Sequence, residues 1–107
     1  MPEWIVNVQD KPEADRAPYN DRHLAALPGL FEKKVLVSAG ALIGDNGKEV
    51  GSSFQVVAES KEDAINVIKN DIFAKEGVYN LDSFVCYRFL GIRSARTLEE
   101  AAAEFQK

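Results

Sequence analysis

"KVLVSAGALIGDNGKEVGSSFQVVAE", residues 34–59, is the stretch whose reading decides the fold. Two runs rich in valine and leucine, 34–42 and 52–59, flank a polar segment with Asn46-Gly47 near its middle. An Asn-Gly pair accepts the positive-φ conformations of a tight hairpin turn, which most side chains resist. The stretch therefore reads as two antiparallel strands joined by a turn.

Working outward, "EWIVNVQD" (3–10) is a further strand. Trp4, Val6 and Val8 share one face and Ile5, Asn7 and Gln9 the other, and Pro12 stops the ladder because it has no N–H to donate. From Ala17 to Lys34 the period changes, with Leu24, Leu27, Leu30 and Phe31 recurring at spacings of three and four. Pro18 suits a first turn. Pro28-Gly29 interrupts the pattern, so regular helix is expected to about Ala26 and a looser turn after it. On the other side of the hairpin, Ser60 and Asp63 form a capping box ahead of Ala64, Ile65, Val67 and Ile68, the buried stripe of a second helix. Asn70-Asp71 ends that helix, "AKEGVYNLD" (74–82) is an irregular connection, and "SFVCYRFLG" (83–91) is a fourth strand. Thr97 and Glu100 suggest a last cap before "LEEAAAEFQK" (98–107). Such a short helix is marginal alone, so Leu98, Ala101, Ala102 and Phe105 are expected to dock on something.

The order is β-α-β-β-α-β with a helical tail: an α+β, ferredoxin-like domain over residues 1–95, with a C-terminal helical extension over 96–107. In that arrangement helices cover one face of a four-stranded antiparallel sheet. The strands carry apolar side chains at both parities, as in Trp4 and Ile5, Val35 and Leu36, Val56 and Val57, Phe84 and Val85. A homodimer through the sheet face is the simplest way to cover the second face.

Composition narrows the function. The chain has 107 residues, 46% hydrophobic and 28% charged, which suits one globular domain. With a net charge of -4 and no basic run beyond Lys33-Lys34, it gains little from a phosphate backbone, so no nucleic-acid partner is expected. No apolar run approaches the ~20 residues of a membrane span. The N-terminal "MPEWIVNVQDKPE" lacks the charge and apolar pattern of a secretory signal. Cys86 is the only cysteine and cannot form an intramolecular disulfide, which fits a cytoplasmic location.

His23, in "NDRHLAAL", is the only histidine. Histidine is the side chain that exchanges protons near neutral pH. Asp10, at the end of the first strand, is the expected partner to fix its tautomer. Asp21 is adjacent in sequence, but helix neighbours point in different directions. A surface histidine without a role is the reading that the residues alone favour. Ser52 could hydrogen-bond a ligand, and Gly51 could let one approach the backbone; turn chemistry explains both as well. The small residues Ser38-Ala39-Gly40-Ala41 leave room above the sheet. Asp71 is unexpected after a helix C-terminus, and capping the next turn through Ile72-Phe73 accounts for it. Cys86 reads as a small buried apolar residue, with Arg88 nearby in sequence. No phosphate-cradling glycine loop, Gly-x-Ser-x-Gly elbow or metal cluster is present, so neither a metal nor a cofactor is expected.

Taken in order, "WIVNVQD", "RHLAAL", "SAGAL", "VGSSFQVVAESKEDA" and "NDIFAKEGVY" resemble the YCII-related (YciI-like) family of dimeric α+β barrel proteins over residues 4 to about 90. The family pattern falls on Asp10, His23-Leu24, Ala39-Gly40, Gly51-Ser52, Asp71-Ile72-Phe73 and Gly77-Val78. Ala41 and Ile72 stand where the family has prolines. Asn20 stands where it often has an arginine, leaving Arg16 or Arg22 to hold an anionic ligand. The resemblance implies a dimer whose sheets form a barrel, and a pocket near His23 and Asp10. Ser52, Gly51, Arg22 and Asp71 are then the candidate substrate-binding residues. A related dehydrochlorinase and muconolactone isomerase-like proteins of similar fold imply cofactor-free acid–base chemistry on small cyclic metabolites. Two readings stand: a lyase or isomerase working through His23 and Asp10, or a non-catalytic dimeric protein that binds a small molecule or assists a partner.

Overall fold

The computed structural model describes residues 1–92. The helix expected from Thr97, and the division of the chain at residues 95 and 96, lie outside the described residues. In chain order the elements are β1 (Glu3–Gln9), a 3-10 turn (Ala17–Tyr19), α1 (Asn20–Glu32), β2 (Leu36–Ile43), β3 (Glu49–Val57), α2 (Lys61–Lys69), α3 (Ile72–Lys75), a second 3-10 turn (Leu81–Ser83) and β4 (Val85–Arg88). The strands lie in the order β2-β3-β1-β4, and each adjacent pair is antiparallel. This is the expected α+β, ferredoxin-like arrangement.

The hairpin forms as the Asn-Gly signal predicts. Gly47 takes φ 80°, and its N–H bonds the Gly44 carbonyl at 2.9 Å. On β1 the alternation also holds. Val6 and Val8 are buried, and Trp4 packs against the core. Val6 faces Phe54 on one neighbour and Cys86 on the other, so a buried row crosses the central strands. Ala64 and Ile68 of α2, with Phe73, Ala74, Val78 and Tyr79 beyond it, complete the core on the helix side. The Ser60 cap is present, accepting from the Asp63 N–H at 3.1 Å.

Three expectations are corrected. First, α1 does not stop near Ala26 but runs through Pro28 to Glu32. Pro28 and Leu24, whose carbonyl would have been the partner of the missing N–H, are both exposed, and at an exposed site water can take the place of the lost bond. The helix ends instead by a Schellman closure, with the Val35 N–H on the Leu30 carbonyl at 2.9 Å and the Lys34 N–H on that of Phe31 at 3.0 Å. Lys34 takes the left-handed conformation that this motif usually gives to glycine, φ 61°. Second, the connection after α2 is not wholly irregular, because α3 and a 3-10 turn occupy much of it. Third, β4 is shorter than 83–91, at Val85–Arg88.

Gly51 matters to the packing. A Cβ built there would run into the Val8 carbonyl oxygen and sit 3.2 Å from Gln9 Cα. The two central strands therefore meet at a point where no side chain fits.

Candidate active site

Two polar clusters lie on the helix side of the sheet. The first is built by the loop that leaves β1. Asp10 extends the ladder, its N–H bonding the Val50 carbonyl at 2.9 Å and its backbone bridging Tyr79. The loop then returns Arg16 to the same end of the sheet. Arg16 Nε donates to Asp10 Oδ2 at 2.6 Å and Nη2 to Oδ1 at 2.8 Å, a two-point fork between side chains 10% and 9% exposed. Nη2 also reaches the Gly51 carbonyl at 2.8 Å and Ser52 Oγ at 3.0 Å. Tyr79 donates its hydroxyl to Ser52 Oγ at 2.8 Å. Burial works against the Arg16 charge, but the bonded Asp10 carboxylate outweighs it and raises the guanidinium pKa. Burial likewise pushes the Tyr79 phenol up, so it remains a neutral donor.

The second cluster is the histidine. His23 is 7% exposed on a helix whose other residues are not buried. Its Nδ1 lies 2.8 and 2.9 Å from the two oxygens of Asp71. An ionised carboxylate only accepts, so Nδ1 carries the proton, and in the neutral ring Nε2 keeps its lone pair. The ring stacks on Phe73, with centroids 4.2 Å apart and planes at 20°. Asp71 is the N-cap of α3, its Oδ2 accepting from the Phe73 N–H at 2.9 Å. One carboxylate thus starts a helix, anchors the stacking ring and orients the imidazole.

The pairing of His23 with Asp10 is corrected accordingly. Asp10 is taken up by Arg16, and Asp71 is the carboxylate on the imidazole. The expected cap by Asp71 of the turn through Ile72-Phe73 is present. The residue follows α2 but opens α3, so the N-terminal end of a helix favours its charge.

The two clusters meet. Arg16 lies 4.8 Å over the ring of Phe73, the same ring that stacks on His23. A hollow of about 100 Å³ is lined by Arg16, His23 and Glu49, and by the small residues Ala39, Gly40 and Ala41. The run of small residues on β2 does make room above the sheet. Ser52, 2% exposed, sits behind Arg16 and supports it. The close approach that Gly51 allows is that of β1. Arg22 lies elsewhere, 5.6 Å over the Tyr19 ring and on the wall of a larger cavity of about 340 Å³ between α1 and α2. Asp71 lines that cavity too. Cys86 is buried and its thiol pKa is raised by burial, as for a packing residue.

The sequence singles out neither Tyr79 nor Glu49, and Phe73 only as part of the turn that Asp71 caps. Phe73 had a usable signal, since an aspartate followed two residues later by an aromatic offers an Asx turn and a ring at once. Tyr79 and Glu49 reach the site only through sheet pairing, which spacing does not reveal.

Fold and site together define a ferredoxin-like α+β protein with a buried histidine–aspartate pair beside a small hollow. No family model and no curated protein matches the chain. Among solved structures it is similar to the 5-chloro-2-hydroxyhydroquinone dehydrochlorinase TftG of Burkholderia phenoliruptrix, determined in complex with 2,5-dihydroxybenzoquinone. The likeness has a TM-score of 0.66 at 24% identity and covers 81% of this chain and 92% of that one. It establishes the shared fold.

Proposed function

We propose that the protein is a cofactor-independent acid–base enzyme, a lyase or isomerase acting on a small cyclic metabolite. The observation that carries this reading is the buried His23–Asp71 pair. Asp71 fixes the proton on Nδ1 and stabilises the imidazolium that forms when Nε2 takes another, the arrangement a general base needs. Stacking on Phe73 restrains the ring. In the proposed step, Nε2 removes a proton from a carbon next to a carbonyl, and the C–H electron pair moves into the carbonyl as an enolate. In a lyase those electrons return to expel a leaving group such as chloride. In an isomerase the proton goes back to a different carbon. The dehydrochlorinase of the same fold, and the resemblance to the YCII-related family, support a ring-shaped substrate and the loss of a leaving group.

The test is proton exchange and turnover with chlorinated and unchlorinated hydroxyhydroquinones in deuterated water, followed by NMR and chloride release. Activity in the native protein that falls by at least about 100-fold in a folded His23→Ala variant supports the reading. No exchange with any of these rings, or exchange unchanged by His23→Ala, overturns it.

We further propose that the working form is a homodimer through the open face of the sheet. Val85 and Tyr87 are 45% and 65% exposed there, and Ile5 faces Tyr87 across the β1–β4 pair. Contiguous apolar surface of this kind favours a partner sheet. Light scattering is expected to give twice the chain mass, falling to the chain mass in Tyr87→Asp; a monomeric native protein overturns the proposal. Among the described residues no helix is long and apolar enough to cross a membrane. The free, buried Cys86 is in keeping with the proposed cytoplasmic location.

A further inference from the structure

The bonds of Arg16 are unevenly committed. Nε and Nη2 are locked by Asp10, the Gly51 carbonyl and Ser52. Nη1 has one partner among the described residues, Glu49 Oε2 at 3.1 Å. The two carboxylates differ sharply, Asp10 being 9% exposed and Glu49 46%. Asp10 alone already balances the Arg16 charge. Glu49 is a second acid on a cation that does not need it, held at one point from the half-wet end of β3. The strand is irregular there, with a register shift between Leu42 and Ile43, the residue paired with Glu49. Arg16, Glu49 and His23 line the same hollow.

We propose that Glu49 is a resident stand-in for the anionic group of the ligand: a carboxylate or ring oxyanion of the substrate displaces it from Arg16 Nη1. This deepens the reading of the hollow as a substrate site and rests on it, by naming the substrate class as an anionic small molecule. The guanidinium is buried and pre-oriented, so it offers an incoming anion a fixed donor. Glu49 keeps that donor occupied in the empty site and swings to water when replaced. A partly exposed ion pair contributes little, so the exchange costs only about a few-fold in affinity. A neutral ligand forms no ion pair with Arg16 and has the same carboxylate to move. The swap therefore selects for charge.

The probes are benzoate and its neutral isostere benzamide, titrated by calorimetry into the full chain and into Glu49→Gln, a substitution at a half-exposed position. Benzoate is expected to bind saturably and to shift the Arg16 side-chain nitrogen resonances, and benzamide to bind much more weakly. Glu49→Gln is expected to tighten benzoate by roughly 3- to 10-fold and to tighten benzamide less. Equal binding of the two probes, unmoved Arg16 resonances, or benzoate binding that Glu49→Gln leaves unaltered or weakens would each overturn the proposal. The titration needs no turnover. If Glu49→Gln tightens benzoate while His23→Ala leaves proton exchange unaffected, the anion site stands and the catalytic reading fails. If exchange needs His23 and Glu49→Gln changes nothing, the enzyme stands and the stand-in fails.

Discussion

The Arg16 cluster and the His23 pair border the same hollow and touch the same phenylalanine, yet they are built on opposite principles. Around Arg16 almost every polar atom is spoken for. Asp10 gives both oxygens to one guanidinium, Ser52 Oγ is shared between Arg16 and Tyr79, and the Gly51 carbonyl is filled as well. Around His23 one nitrogen is fixed by Asp71 and the other has no protein partner among the described residues. A closed network fixes a shape, whereas an open one leaves a group able to take up a proton. The difference separates the groups that hold the site from the one that can move a proton in it.

Substitutions can break the comparison or sharpen it. Asp10→Ala should have the largest effect, because it removes both bonds of the buried fork and leaves the guanidinium charge to half-exposed Glu49 alone. A loss of about 3–5 kcal/mol of stability is expected by denaturant titration, and a smaller loss would mean the cluster is less closed than its geometry implies. Asp71→Ala should come next, at about 2 kcal/mol, since it removes the cap of α3 and leaves the Nδ1–H without its acceptor. Asp71→Asn should move stability least, by a few tenths of a kcal/mol in thermal melts, because an asparagine oxygen still caps the helix. It should nonetheless slow proton exchange at His23, because the charge that stabilises the imidazolium is gone. If Asp71→Asn instead melts like Asp71→Ala with exchange intact, the pair is scaffolding and the contrast collapses.

What could be read in advance follows from range. The hairpin turn at Gly47, the Ser60 cap and the two faces of β1 are decided by residues within a few positions of one another, and each appears as expected. Asp71 gave a partial signal: its cap was legible, since Phe73 is two residues away, but its bond to His23 spans 48 positions. Asp10 was the nearer carboxylate by sequence, and Arg16, only 6 residues on, claimed it first. Pro28 shows a local rule giving way. The helix has Leu27 and Leu30 packed against the core and a backbone closure at Lys34 waiting beyond it, so a bond lost on the wet side does not end it.

The seam at Gly51 has an outcome that reaches past packing. Sliding β3 by one position would set Val50 or Ser52 opposite Gln9, driving a side chain into the neighbouring backbone and turning each residue to the wrong side. Mismatched versions of the central ladder are thereby struck from the routes open to the folding chain. The absence of one methyl group acts as a proofreader, passing only the alignment in which Ser52 arrives beneath Arg16.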